Sequence, residues 1–194
     1  MLKQLKTAIL SLAVLIVGTG LLYPLTITAI GQVVFPKTAN GSLIYGNDGK
    51  PIGSHLIGQP FDDQKYFWSR PSATSPFPYN AASSSGSNLG PTNEALLKTV
   101  RDRVDALHKA DPDNKEPVPI DLVTASASGL DPHISPAAAL YQIKRVARVR
   151  GIAESTVKEM IERHTQGRLF GLLGEPAVNV LELNLDLDGI KTQQ

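Results

Sequence analysis

The strongest pattern in the chain is an uncharged apolar run near its N-terminus. No charged side chain occurs between Lys6 and Lys37, and the centre of this run is almost entirely aliphatic. An α-helix rises ~1.5 Å per residue, so ~20 such residues cross the ~30 Å hydrocarbon core of a bilayer. The pattern predicts a membrane-spanning helix over residues 8–30, preceded by a short tail over residues 1–7. Pro24 lies inside this span, where the missing backbone hydrogen bond is expected to bend the helix.

The flanks of the run indicate how the helix is used. A cleavable signal peptide has a shorter apolar stretch followed by small residues, whereas residues 26–31 include bulky side chains, so a retained anchor is favoured. Lys3 and Lys6 precede the helix and only Lys37 follows it closely, which favours a cytoplasmic N-terminus. Residues 31–194 then form a soluble domain, expected on the extracytoplasmic side of the membrane.

Glycine and proline interrupt the pattern in the first part of the domain. Asn47-Asp48-Gly49 is a turn signal between two candidate strands. Residues 71–91 are rich in serine, proline, glycine and asparagine, which predicts a long loop. Phe77 and Tyr79 are expected to anchor this loop, because a flexible spacer has no need of aromatic side chains.

Three helices are predicted further along the chain. Asn93 caps the first, whose apolar positions have a three-four spacing and which Pro112 ends. Ser135-Pro136 starts the second and Gly151 stops it. The third covers residues 153–165.

The second of these helices has two predicted faces. The buried stripe is expected to contain Leu140, Ile143, Val146 and Val149, and the solvated face to contain Arg145, Arg148 and Arg150. Residues 118–123 and 177–183 are predicted strands. The fold class is therefore α+β, with one N-terminal transmembrane helix followed by a single soluble α+β domain.

The amino-acid composition excludes several functional classes. The chain has 194 residues, 19 basic against 18 acidic, so it lacks the basic excess of a nucleic-acid-binding protein. Cysteine is absent, which excludes disulfides, zinc-thiolate sites and cysteine nucleophiles.

The sequence contains no complete catalytic motif. Residues 46–50 lack the glycine spacing and the final Ser or Thr of a phosphate-binding loop. Residues 155–158 have Ser-x-x-Lys spacing, but no Ser-Asp-Asn or Lys-Thr-Gly accompanies it. The four histidines are scattered, so surface or capping roles are favoured over a metal site. The residues thus leave open a complex subunit, a single-span sensor and a cell-surface binding module.

Several long strings of residues narrow this choice. They are Gly20-x-x-Tyr23-Pro24-Leu25, Leu56-Ile57-Gly58-Gln59-x-Phe61, Tyr66-Phe67-x-x-Arg70-Pro71-Ser72-Ala73, the run from Asp121 to Asp131, and Gly174-x-Pro176-x-Val178-Asn179-Val180-x-Glu182-Leu183-Asn184. Together they resemble the KdpC family, the C subunit of the bacterial Kdp potassium-transporting P-type ATPase, over essentially the whole chain.

The resemblance implies a place in a four-subunit pump of the bacterial inner membrane. The channel-like Kdp A subunit conducts potassium, the P-type Kdp B subunit hydrolyses ATP, and the Kdp F subunit is a small membrane peptide. The KdpC protein is non-catalytic, supports assembly, and is described as a catalytic chaperone that raises the ATP affinity of the ATP-hydrolysing subunit.

The same resemblance bears on ligands and on the position of the domain. No tightly bound cofactor or metal is implied, and contact with ATP is expected only through the ATP-hydrolysing subunit. An outward domain cannot reach cytoplasmic ATP. Capping the potassium entrance of the channel-like subunit is therefore the hypothesis that fits the predicted topology.

Three groups of residues are candidate partner contacts, each with a plain structural alternative. In the helix they are Thr19, Gly20, Tyr23 and Pro24, for which lipid contact is the alternative. In the uncharged segment before the second soluble helix they are Thr124, Ser126, Ser128, Gly129 and Asp131, for which tight packing of small residues is the alternative. Near the C-terminus they are Asn179, Glu182 and Asn184, for which a solvated face is the alternative.

Overall fold

The structure is a computed structural model that describes residues 1–190. The chain divides into two compact units, one ending at Leu43 and the other beginning at Ile44. The first is helical and the second mixes helices with two small sheets, so the predicted α+β class with an N-terminal apolar helix is confirmed.

The first unit is dominated by one long helix, Leu2–Val34. It consists of α1 (Leu2–Leu15), a π-helical segment (Ile16–Leu22) and α2 (Tyr23–Val34), and the short α3 (Pro36–Ala39) follows. None of its residues is buried. At ~1.5 Å per residue the helix is about 50 Å long, which exceeds the ~30 Å hydrocarbon core. The predicted span over residues 8–30 lies inside it.

Pro24 does not interrupt this helix. Proline lacks an N–H, and its ring crowds the carbonyl of the residue four positions earlier, which here is Gly20. The wider turns of Ile16–Leu22 contain Gly20 and end two residues before the proline, which leaves room for its ring.

The second unit begins with the predicted hairpin. Strands β1 (Leu43–Tyr45) and β2 (Pro51–Ser54) pair around a turn in which Gly49 has a φ of 73°. No helix or longer strand follows until residue 94, so residues 71–91 form the expected long loop. Tyr79 anchors it through a hydrogen bond from its hydroxyl to the Arg70 carbonyl, whereas Phe77 is mostly exposed and the prediction for it was wrong.

The three predicted helices are present with the expected caps. Helix α4 (Glu94–Ala110) begins after Asn93, whose side chain accepts a hydrogen bond from the Ala95 N–H. Helix α5 (Pro136–Arg150) begins after Ser135, whose side chain accepts from the Ala138 N–H, and Gly151 ends it with a φ of 66°. Helix α6 covers Glu154–Arg163.

The predicted faces of α5 are partly wrong. Ile143 and Val146 are buried, but Leu140 and Val149 are about half exposed. The larger error concerns Arg145, which is only 2% exposed because its guanidinium donates to the carbonyls of Gln64 and Tyr66 inside the domain.

The other two arginines of α5 also have partners within the domain. The Arg150 guanidinium is largely buried and donates to the Lys65 carbonyl and the Asp188 carboxylate at 2.7 and 2.8 Å. The Arg148 guanidinium is about half exposed and pairs with the buried Asp111 carboxylate at 2.7 Å. Of the three, Arg148 comes nearest to the predicted solvated position.

Both predicted strands also need correction. Residues 118–123 contain a 3-10 turn, Ile120–Leu122, because prolines remove backbone donors there and the Asp121 carboxylate instead accepts from the Ser135 N–H and hydroxyl. The strand predicted over residues 177–183 ends at Asn179, whose side chain caps α7 (Val180–Leu187) by accepting from the Glu182 N–H. An alternating apolar pattern over so few residues suits a helix face as well as a strand.

A three-stranded antiparallel sheet lies beside the core. Its order is β3 (His133–Ile134), β5 (Ala177–Asn179) and β4 (Thr165–Gln166), with Ile134 and Thr165 both opposite Val178. The hydrophobic core is formed mainly by α5, α6, β5, α7 and the segment around Phe67, and its most deeply buried members include Phe67, Val146, Val157, Val178 and Leu183.

Candidate functional site

Two loops of the domain lie side by side and contain the central group of candidate residues. We call residues 70–86 and 124–131 the paired loops. The Ser128 carbonyl accepts hydrogen bonds from the Ser85 N–H at 3.0 Å and the Ser84 hydroxyl at 2.9 Å. The Gly129 carbonyl accepts from the Ser72 hydroxyl at 2.7 Å. The long serine-rich loop is therefore tied to the uncharged segment by backbone carbonyls.

The hydroxyl groups of the predicted segment are occupied locally. Thr124 donates to the Ile120 carbonyl at 2.8 Å. Ser126 is buried and accepts from the Gly129 N–H at 2.9 Å, while the Ser128 hydroxyl accepts from the Leu130 N–H at 3.1 Å. These contacts stabilise turns, and none brings a hydroxyl beside a general base.

Gly129 shows how tightly the paired loops pack. Its φ is 67°, and a Cβ added there would lie 2.6 Å from both the Ser85 carbonyl oxygen and the Thr74 Cγ2. Such contacts are much shorter than van der Waals distances, so only glycine fits at this position. Within the chain the segment therefore has the tight packing of small residues that was its structural alternative; its role in partner contact stays a prediction.

Asp131 is the charged member of the segment and has two basic neighbours. Its carboxylate accepts from Arg70 Nη1 at 3.1 Å and from the His133 N–H at 3.0 Å, and His133 Nδ1 lies at 3.4 Å. Burial by itself raises the pKa of Asp131, but the hydrogen bonds from His133 and the charge of Arg70 together hold that pKa below the ordinary 3.8. Asp131 is thus a fixed anion that joins the two loops.

A cleft of about 310 Å³ opens beside the paired loops. Its lining includes Phe61, Trp68 and Tyr79 together with Arg70 and Arg103, whose guanidinium groups bind the Asp131 carboxylate and the Val123 carbonyl at 3.1 and 2.8 Å. Burial raises the pKa of Tyr79 to about 12 and lowers the pKa of Arg103. Aromatic walls with arginines suit a planar or anionic partner group.

The cleft lacks the groups of a reaction centre. None of its lining residues is a nucleophile that is hydrogen-bonded to a general base. Residues 1–190 contain no cluster of three histidine, aspartate or glutamate side chains placed to hold a metal ion.

The C-terminal candidates lie inside the domain. Asn184 is 1% exposed, and its amide both accepts from the Phe67 N–H at 2.8 Å and donates to the Phe67 carbonyl at 2.9 Å. Asn179 donates to the His55 carbonyl at 3.0 Å, and the buried Glu182 carboxylate lies 2.5 Å from His55 Nδ1. The alternative of a solvated face is wrong for all three, because they hold distant segments against α7.

The helix candidates share a short stretch of exposed surface. Thr19 and Gly20 belong to the π-helical segment, and Tyr23 and Pro24 follow it immediately. The Thr19 hydroxyl donates to the Leu15 carbonyl at 2.7 Å, which satisfies it within apolar surroundings. A widened helical turn with a glycine permits close approach of another helix at this position.

Sequence reasoning missed two functional-looking contacts. His55 meets Glu182 across 127 positions of sequence, and Arg145 stacks on Trp68 with 4.4 Å between the guanidinium carbon and the ring centre. Neither contact has a local sequence signal, because the partners are brought together only by folding.

Comparison with known proteins covers the helix and the domain alike. A family model described as KdpC, the c chain of K+-transporting ATPase, matches residues 5–189. A potassium-transporting ATPase KdpC subunit of Sorangium cellulosum is 61% identical over 191 residues, or 98% of this chain and 100% of the relative. Proteins of the same description from Methylococcus capsulatus and Dechloromonas aromatica are each 59% identical, over 98% and 97% of this chain and 100% and 98% of their own lengths.

Proposed function

This chain belongs to the KdpC family of potassium-transporting ATPase subunits, and on this premise we propose that it is a membrane-anchored accessory subunit of an ATP-driven potassium uptake pump. The proposed partners are the channel-like, the ATP-hydrolysing and the small membrane-peptide subunits of that pump. The single observation that carries the proposal is the family match over helix and domain together, because the relatives contain both parts.

The shape of the membrane part supports an accessory role. Leu2–Val34 is the one candidate span among residues 1–190, and its apolar surface is exposed all round. One apolar helix cannot enclose a water-filled path for an ion. The transport path must therefore be formed by the partners, and this helix anchors the domain beside them.

The charge distribution supports an extracytoplasmic domain. Lys3 and Lys6 lie in the first turns of α1, and the next basic residue is Lys37, beyond the helix. In this orientation the domain lies on the side from which potassium enters, where it can cap the entrance of the channel-like subunit. The effect on the ATP affinity of the ATP-hydrolysing subunit then travels through the membrane helices, and the domain itself makes no contact with ATP.

The lining of the cleft supports the proposal of a non-catalytic role. Its aromatic and guanidinium groups favour binding, and the hydroxyls of the paired loops are held in turns. Assembly of the pump and adjustment of its ATP-hydrolysing subunit are the tasks that such a domain is suited to perform.

Co-purification tests the subunit proposal. The tagged chain is isolated in mild detergent from potassium-starved cells, and potassium-stimulated ATP hydrolysis is measured in the eluate. We expect recovery of a P-type ATPase together with a channel-like protein. Reproducible recovery of the intact chain alone contradicts the proposal and favours an independent sensor or binding module.

Variants in the same assay locate the interfaces. Gly20→Leu is expected to reduce recovery of the partners, whereas Ala13→Leu, an equally small-to-large change in α1, leaves recovery unchanged. Ser128→Arg tests the paired loops; unchanged assembly and transport exclude this loop as an interface.

Protease protection tests the orientation separately. In right-side-out vesicles, added protease is expected to digest the domain while the N-terminal tail stays protected. A domain that is cut only after the membrane is permeabilised contradicts the outward orientation and restores the possibility of direct ATP contact.

A further inference from the structure

The hairpin between β4 and β5 ends in a cluster of exposed apolar side chains. We call residues 168–175 the hydrophobic tip. Leu169, Phe170, Leu172 and Leu173 are 60%, 86%, 81% and 63% exposed. Single exposed apolar residues are ordinary on protein surfaces, but four within five positions on one projecting turn mark an interaction site.

The tip is held in a defined conformation. The Leu169 N–H donates to the Leu173 carbonyl at 2.8 Å, and the Leu173 N–H donates back at 3.0 Å. At the base, Arg168 Nη2 binds both carboxylate oxygens of Glu175 at 2.8 and 2.9 Å. The apolar side chains therefore lie on a hydrogen-bonded turn whose base is closed by a salt bridge.

The backbone of the tip favours display over burial. Phe170 has a φ of 53°, a region that costs free energy for a bulky residue, and Gly171 follows with a φ of 72°. No packing against the rest of the domain explains this conformation, because Phe170 is the most exposed of the four. Such strain is retained where the displayed side chain has a role.

We propose that the hydrophobic tip inserts into the headgroup and acyl-chain boundary of the lipid bilayer that holds the anchor helix. The helix ends at Val34 and β1 begins at Leu43. This connector reaches at most ~3.6 Å per residue, so the start of β1 can lie no more than about 30 Å from the C-terminal end of the helix. A tether of this length gives the tip a high effective concentration at the membrane.

The composition of the tip matches the boundary it is proposed to enter. Phenylalanine and leucine side chains enter the upper acyl region, and an arginine below them lies at headgroup depth with its apolar stem buried. Glu175 neutralises Arg168, so insertion depends on apolar contact and not on anionic lipid. The proposal holds on either side of the membrane and does not depend on the pump role.

Depth-dependent quenching in liposomes tests the proposal. The chain has no cysteine, so Phe170→Cys provides a unique site for an environment-sensitive fluorophore in the full-length protein. With lipids that carry a shallow nitroxide quencher we expect about a twofold loss of fluorescence, since insertion of ~5–10 Å places the label beside the quencher. Lys98→Cys, on the exposed surface of α4, is expected to show no quenching. Val17→Cys within the helix reports that the anchor itself is inserted.

Each result of the quenching experiment either supports or contradicts insertion of the tip into lipid. Quenching at position 170 and not at 98, equal in zwitterionic and anionic liposomes, supports lipid insertion. A water-exposed label at 170 with a quenched label at 17 overturns it. A label at 170 that is shielded only in the assembled pump, without nitroxide quenching, also overturns it and assigns the tip to a protein partner. None of these results depends on ATPase activity, so the subunit proposal is tested apart from this one.

Discussion

Replacing Arg145 by methionine is the sharpest test of how the domain is held together. Arg145 is 2% exposed, and its guanidinium donates to the carbonyls of Gln64 and Tyr66 and to the Gln142 side-chain oxygen at 2.6 Å. Among residues 1–190 no carboxylate lies within hydrogen-bond distance of it. Methionine has a similar length, so it fills the space without a large cavity. The substitution therefore removes hydrogen bonds and the contact with Trp68 while nearly preserving volume.

The magnitude follows from the groups that lose a partner. Gln64 lies at the surface, so its carbonyl can turn to water, and the Gln142 oxygen keeps the hydrogen bond from the Trp68 N–H at 2.8 Å. The partly buried Tyr66 carbonyl is the acceptor that loses its donor. An acceptor left without a donor inside a domain costs about 1–3 kcal/mol, and the lost cation–π contact adds about 0.5–2 kcal/mol. Burial lowers the pKa of Arg145 to about 10, which shows that desolvation of the charge offsets part of this gain. We expect a net loss of about 2 kcal/mol in the free energy of unfolding.

The measurement uses the single tryptophan of the chain. Trp68 stacks on Arg145, so its fluorescence follows the same region during urea unfolding in detergent micelles, and circular dichroism provides a second probe. Lys144→Met is the matched control, because Lys144 is the exposed neighbour of Arg145 on α5, and we expect a change within about 0.5 kcal/mol. A loss below about 1 kcal/mol for Arg145→Met would refute the reasoning.

Three further predictions concern packing, polar contacts and pH. Gly129→Ala is expected to lower stability by about 1–3 kcal/mol more than Gly151→Ala in urea unfolding, because both glycines have positive φ but only Gly129 lacks space for a Cβ; equal losses contradict the packing. Asn184→Leu leaves the buried Phe67 N–H and carbonyl without partners, so we expect a loss of about 2–5 kcal/mol in the same assay, and a neutral result contradicts the hydrogen-bond assignment. Because the pKa of Asp131 lies below 3.8 in the folded state, its stabilisation is present above that pH and is lost as the pH falls further; the melting temperatures of the natural chain and Asp131→Asn should therefore converge in acid, and a gap independent of pH contradicts this.

Local signals in the sequence predicted the helices well. The starts of α4 and α5 each depend on one side chain, Asn93 or Ser135, that caps its own first turn, and these contacts span only two or three residues. The failures lie where local patterns are ambiguous or partners are distant. Residues 177–183 alternate equally well for a strand and a helix, and the Asn179 cap decided between them. Arg145 was assigned to solvent because a charged residue on a helix is usually exposed, and the carbonyls that bind it come from residues 64–66.

The candidate site divides in the same way. Its uncharged segment and the long loop were evident from sequence, and the family resemblance is confirmed by the relatives. Two sets of hydrogen bonds were not predictable, since no spacing rule relates residues more than 40 positions apart. Ser84 and Ser85 donate to the Ser128 carbonyl, and the Asn184 side chain binds the Phe67 backbone.

The sequence alone determined what depends on short-range physics: an apolar helix long enough to cross a bilayer, capped helices, a turn between two strands, and the family. The tertiary structure decided which polar side chains lie inside, where His55 meets Glu182, and that four apolar residues after Arg168 remain outside. The reason is that burial is a property of the whole packed domain. A side chain becomes internal only when distant segments bring the donors, acceptors or apolar surface that offset its loss of water.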